Sequence, residues 1–162
     1  MDYRFHDYVF FVVSVLVAML LTLIPLPETG VYYQPSWILL VLIFWCCVAP
    51  KMLNLFWFWV IGLYQDLMLA TPLGLSALIY TAVGYVFCRL NVQVSKYPYW
   101  QQSLFIALAA LFQITVNALV MRSVGLPVAF WGAWPVLVVN ALLWRLVYAM
   151  MYSIWRKRLK LY

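Results

Sequence analysis

The order of apolar and polar positions divides the chain into six apolar runs separated by short connectors rich in breakers. The runs cover residues 8–26, 36–49, 53–70, 75–88, 103–121 and 134–155. A helix of roughly 18 to 20 residues, rising 1.5 Å per residue, matches a hydrocarbon core about 30 Å thick. A barrel would alternate in polarity over segments of about ten residues, and this chain does not. The pattern predicts an all-α, polytopic integral membrane protein: one transmembrane helical domain over residues 1–162, with about six spans. The second and fourth runs, 14 residues each, are short for a span. They are expected to thin the bilayer, to extend into flanking Trp and Tyr, or to be partly re-entrant.

The connectors carry recognisable turn chemistry. "PLPETGVYYQP" (residues 25–35), "APKML" around Pro50 and "ATPLG" with Pro72 and Gly74 all interrupt helix. The longest polar connector is read from Arg89 to Gln102. The stretch from Arg122 to Pro135 mixes Gly, Pro and Trp as interfacial backbone does.

Composition agrees with the pattern: 69% of residues are hydrophobic and 9% charged, with a mean hydropathy of +0.99. No stretch is polar enough to form a separate soluble domain, so a soluble catalytic or nucleic-acid-binding unit is not expected in this chain. The net charge of +6 reads as membrane orientation rather than nucleic-acid binding, because the basic residues gather at helix ends. With the N terminus inside, Arg4, Lys51, Arg89, Lys96, Arg156, Lys157, Arg158 and Lys160 all face the cytoplasm and Arg122 faces out. That asymmetry predicts an even number of spans with both termini cytoplasmic. The first run lacks a small-residue cleavage site before Pro25 and is not read as a removed signal peptide. The basic tail reads as an ordinary stop that can also attract anionic lipid, and the aromatics, 19% of residues, read mainly as interfacial anchors.

Cys46, Cys47 and Cys88 have neither CxxC spacing nor companion ligands, and His6, the single histidine, lies in the polar lead-in. No metal site, cofactor or histidine relay is expected. At membrane depth the ionisable groups are Asp66 and Arg145, each needing a partner or a purpose at roughly 2.5 to 3.5 kcal/mol on insertion scales. A direct Asp66–Arg145 pair is one candidate arrangement. The other is local, because Gly62 and Asp66 share a helix face where Gly62 admits a neighbouring helix, and Thr71 or the first amides of the next helix can donate to the carboxylate. Gln113 and Asn117 share a face of the fifth run, and Asn140 and Trp144 share one on the sixth. Such amides read first as glue between helices and second as a polar path. No nucleophile, base pair or phosphate loop accompanies them, so an enzyme is not expected.

Three stretches in this order, "PSWILLVLIFWCCVAP" (residues 35–50), "GLYQDLMLATPLG" (residues 62–74) and "YPYWQQSL" (residues 97–104), resemble the MreD family of bacterial rod shape-determining membrane proteins. Asp66 falls on that family's acidic position, with Gly62, Pro72, Leu73 and Gly74 on the motif around it. Ala70 departs from the family pattern, where Gly is expected. The resemblance implies a non-enzymatic inner-membrane scaffold of the machinery that builds side-wall peptidoglycan and maintains rod shape. The implied direct partner is MreC, bound through the Gly62/Asp66 face and the Trp-rich fifth-to-sixth connector. MreB, RodA, a penicillin-binding transpeptidase and RodZ would be further members of the complex, with membrane lipids around it. The family has also been likened in fold to the substrate-binding subunits of vitamin transporters. That likeness supports an alternative, a small-molecule or lipid module with Asp66, Gln113, Asn117, Asn140 and Arg145 lining a cavity.

Overall fold

The structure, a computed structural model, describes residues 5–24, 34–50, 52–94, 97–125 and 134–160. These residues form six helices and no strand: α1 (Phe5–Leu23), α2 (Trp37–Val48), α3 (Leu55–Leu69), α4 (Leu75–Val94), α5 (Tyr99–Ser123) and α6 (Pro135–Lys160). The helices fall on the six apolar runs, and the breakers account for their ends. Pro35 accepts from the Trp37 amide through its carbonyl as α2 begins, and Pro50 follows the last bond of α2, from the Ala49 amide to the Trp45 carbonyl. Pro98 is extended (φ −62°, ψ 153°), and its carbonyl receives the Gln101 and Gln102 amides that open α5.

Two predicted boundaries are corrected. The stretch read as a connector from Arg89 to Gln102 is mostly helix: α4 runs on to Val94 and α5 begins at Tyr99. Polarity marked where the apolar run stops, but helix propagates through Arg, Asn and Gln wherever backbone bonds continue. The fourth helix is therefore 20 residues long, although its apolar stretch, Leu75–Leu90, stays among the shorter ones. α6 likewise continues through the basic tail to Lys160.

α2 is the axle of the bundle. Every residue from Ile38 to Cys46 is buried, and α1, α4 and α6 pack around it. It has 12 residues, so it is only about 18 Å long. Its neighbours shield it from lipid, so its shortness does not require a thinner bilayer. Trp45 in its last turn has no exposed surface; its indole N–H donates to Ser14 Oγ of α1 at 3.0 Å, and Phe10, Phe11 and Phe44 meet the ring edge-on. Buried indoles usually find such an acceptor.

The outside of the bundle is apolar. Leu16 and Leu20 on α1, Leu108 and Leu119 on α5, and Leu142 and Leu146 on α6 all present at least half of their surface. Hydrocarbon, not water, suits so continuous an apolar exterior. Two helical stretches, Trp100–Ser123 and Pro135–Arg156, are long and apolar enough to cross a membrane, and four shorter apolar helices accompany them.

Candidate functional site

The tightest contact in the bundle is between α3 and α4. A Cβ placed on Gly62 would lie 2.4 Å from the Ala77 nitrogen, so the two backbones touch at this point and only glycine fits. About two turns further along α4, Gly84 receives the Phe58 ring of α3, whose Cδ1 would be 2.6 Å from an added Cβ. The face of Gly62 is thus filled by the protein's own α4, which withdraws it as a surface for a partner helix.

The turn that lets α4 come back so closely is built from a few special residues. α3 ends at Ala70, which is left-handed (φ 51°, ψ 34°). Gly74 has φ +93°, a conformation that side chains strongly disfavour. Glycine in this place has no side chain with which to cap the helix that it begins. Asp66, one turn before the end of α3, supplies the cap instead. Its Oδ2 accepts from the Gly74 amide at 2.9 Å. The Ser76 amide donates to both oxygens, at 3.0 Å to Oδ1 and 3.2 Å to Oδ2. The Thr71 hydroxyl donates to Oδ1 at 2.9 Å. Asp66 is fully buried, and its oxygens sit at the positive end of the α4 dipole.

The local arrangement, not the direct pair, describes the carboxylate. Its bonds come from residues 71 to 76, while Arg145 lies on an exposed stretch of α6. Asn140 ties α6 to the start of α2: the Ser36 amide donates to its Oδ1 at 3.0 Å, and its Nδ2 donates to Ser36 Oγ at 3.3 Å. Trp144, on the same face, donates to Gln102 Oε1 of α5 at 3.2 Å.

Gln113 and Asn117 do something else. With Gln34, Ser36, Gln65 and Tyr80 they line a cavity of about 220 Å³. Of the five residues grouped around a cavity in the sequence, these two line it, Asn140 borders it through Ser36, and Asp66 and Arg145 are not part of it. Sequence reasoning missed Gln65, which lines the cavity and accepts from the Tyr80 hydroxyl, because a single neutral amide beside an ionisable residue carries no signal of its own. It also missed the approach of Cys46 and Cys88, whose sulfurs are 3.2 Å apart between α2 and α4. Nothing in their spacing of 42 residues signals it. Residues 126–133 of the Trp-rich fifth-to-sixth connector, Trp131 among them, lie outside the described residues.

An apolar exterior, a bundle of helices and polar groups turned inward define an all-helical membrane protein with no catalytic constellation among the described residues. Comparison with known sequences makes this specific. The chain belongs to the rod shape-determining protein MreD family, whose model matches residues 3–154. It is similar to the rod shape-determining protein MreD of Haemophilus influenzae, with 29% identity over 141 residues, 87% of each chain. No solved structure matches it.

Proposed function

We propose that this protein is a non-enzymatic, multi-pass scaffold of the bacterial inner membrane that supports rod shape and lateral peptidoglycan synthesis by holding MreC within the elongation machinery. MreB, RodA, a penicillin-binding transpeptidase and RodZ are the further members of that assembly. Family membership supplies the context. The observation that carries the non-enzymatic reading is the saturation of Asp66, whose two oxygens are occupied by the amides and hydroxyl of its own hairpin. Both oxygens are committed to donors of the hairpin, which makes the side chain a fixed structural acceptor.

Since α4 fills the Gly62 contact itself, the MreC helix is assigned to an exposed flank of the same hairpin. There Trp59, Gly74, Leu78, Thr81, Ala82 and Tyr85 line an open groove of about 590 Å³. Small residues at its floor allow close helix approach, and the flanking rings provide contact area. The test is co-purification of MreC with Ala82→Leu, which fills the groove without touching the Asp66 cap. Loss of MreC at unchanged thermal stability, together with rounded cells when the variant replaces the wild type, is the expected result. Undiminished capture would remove this groove as the interface.

A further inference from the structure

The polar cavity lies where all six helices converge, and the scaffold reading makes no use of it. Thr22, Ile38, Gln65, Tyr80, Gln113 and Val136 each bring one helix to its wall. Gln113 Oε1 is buried with no hydrogen-bond partner. Asn117, one helical turn further along α5, lines the same space, and no hydrogen bond from either side-chain amide to another described residue is present. A third carboxamide, that of Gln65, lines the same space and engages Tyr80 through its oxygen. In a membrane an amide carbonyl without a donor is destabilising by several kcal/mol, so these groups call for an occupant.

The dimensions and chemistry of the space select that occupant. A water needs roughly 10 to 15 Å³ measured in this way, so about 220 Å³ holds far more than one. It is also smaller than the roughly 300 to 1,000 Å³ of sites for drug-sized molecules. No Asp, Glu, Lys, Arg or His is among the lining residues, and the nearby Asp66 is saturated by α4. An ion would enter without a counter-charge. What the walls offer is neutral donors and acceptors together with the aromatic surfaces of Trp37 and Tyr80, against which the C–H face of a ring can lie.

We propose that this cavity binds an uncharged, hydroxyl-rich group about the size of one hexose, held by the carboxamides of Gln65, Gln113 and Asn117. This goes beyond the scaffold reading and does not depend on it. The same chemistry is available as the headgroup of a neutral glycolipid or as a free sugar, and the experiment separates the two.

Full-length protein in a polyoxyethylene detergent, which carries no sugar, is titrated with monoglucosyl diacylglycerol, methyl glucoside, diacylglycerol and phosphatidylglycerol while tryptophan fluorescence follows thermal unfolding. A rise in Tm of about 5 °C with at least one sugar-bearing probe, as expected for a ligand well above its Kd, and none with the other two lipids supports the site. A response to the glycolipid alone assigns it to the membrane; a response to methyl glucoside assigns it to the free sugar. Gln113→Leu and Asn117→Leu are each expected to raise the apparent Kd at least tenfold, with a Tm in the absence of ligand no lower than wild type. Should one variant fail to fold, the other carries the same comparison. No shift with either sugar probe, an equal shift with diacylglycerol or phosphatidylglycerol, or wild-type binding by a folded variant overturns the proposal.

Discussion

Gly62 and Ala77 bring two helices into backbone contact: a Cβ on the glycine would stand 2.3 Å from the alanine Cα. The obstacle is main chain, so no rotamer change relieves it. Gly62→Ala must push α3 and α4 apart and is expected to destabilise the bundle by at least the 1 to 3 kcal/mol typical of overpacking. The loss should exceed that of Gly84→Ala, where a Phe58 ring is in the way. Thermal unfolding of both variants in the same detergent makes the comparison. Equal Tm values for Gly62→Ala and wild type would show that the helices are not locked at this point.

The cap formed by Asp66 separates geometry from charge. Asp66→Leu leaves the Gly74 and Ser76 amides and the Thr71 hydroxyl without their acceptor. At about 1 to 3 kcal/mol for each buried group left unsatisfied, this variant is expected to fold poorly. Asp66→Asn keeps one accepting oxygen and should fall between the two. Amide exchange of Gly74 and Ser76, slow in the wild type and fast in Asp66→Leu, is the direct readout.

Ala70 stands in a left-handed conformation that costs an alanine about 1 to 2 kcal/mol. Ala70→Gly relieves it, offset in part by the greater freedom of glycine in the unfolded chain. A net gain of about 0.5 to 1 kcal/mol is expected, seen as a Tm higher by roughly 2 °C. A lower Tm would contradict the assigned backbone.

At the same end of the bundle, between α2 and α6, Asn140→Leu and Ser36→Ala are expected to differ. Asn140 serves the Ser36 amide as well as its hydroxyl, so losing it orphans a backbone donor at the start of α2, at about 1 to 3 kcal/mol. Ser36→Ala removes only the longer bond and keeps the amide contact. Unfolding measurements should rank Asn140→Leu well below Ser36→Ala.

The six helices were legible because runs and breakers are both local signals, and Pro35, Pro50 and Pro72 punctuate them. The ends of α4 and α6 were not, since polar residues such as Arg89 and Arg156 stop an apolar run without stopping a helix. At the hairpin, the spacing of Gly62 and Asp66 showed a shared face, and the Thr71 hydroxyl and helix amides were foreseeable donors. What the sequence left open was whose helix lies against Gly62, and the contact with Ala77 answers that. Gln113 and Asn117 were visible as a pair. The absence of a hydrogen bond from either to another described residue was not, because it depends on how α5 sits among five other helices. The meeting of Cys46 with Cys88 likewise depends on how α2 sits against α4.

The donors to Asp66 all follow it within ten residues of chain, and that bears on how the protein is made. A carboxylate whose partners lay on α6 would wait for most of the polypeptide to be synthesised, lodged in lipid with its hydrogen bonds unmet. Here the whole set leaves the ribosome almost together with Asp66, so α3 and α4 can enter the bilayer as one folded pair with the charge already enclosed. The order of residues along the chain solves a problem of timing as well as one of geometry.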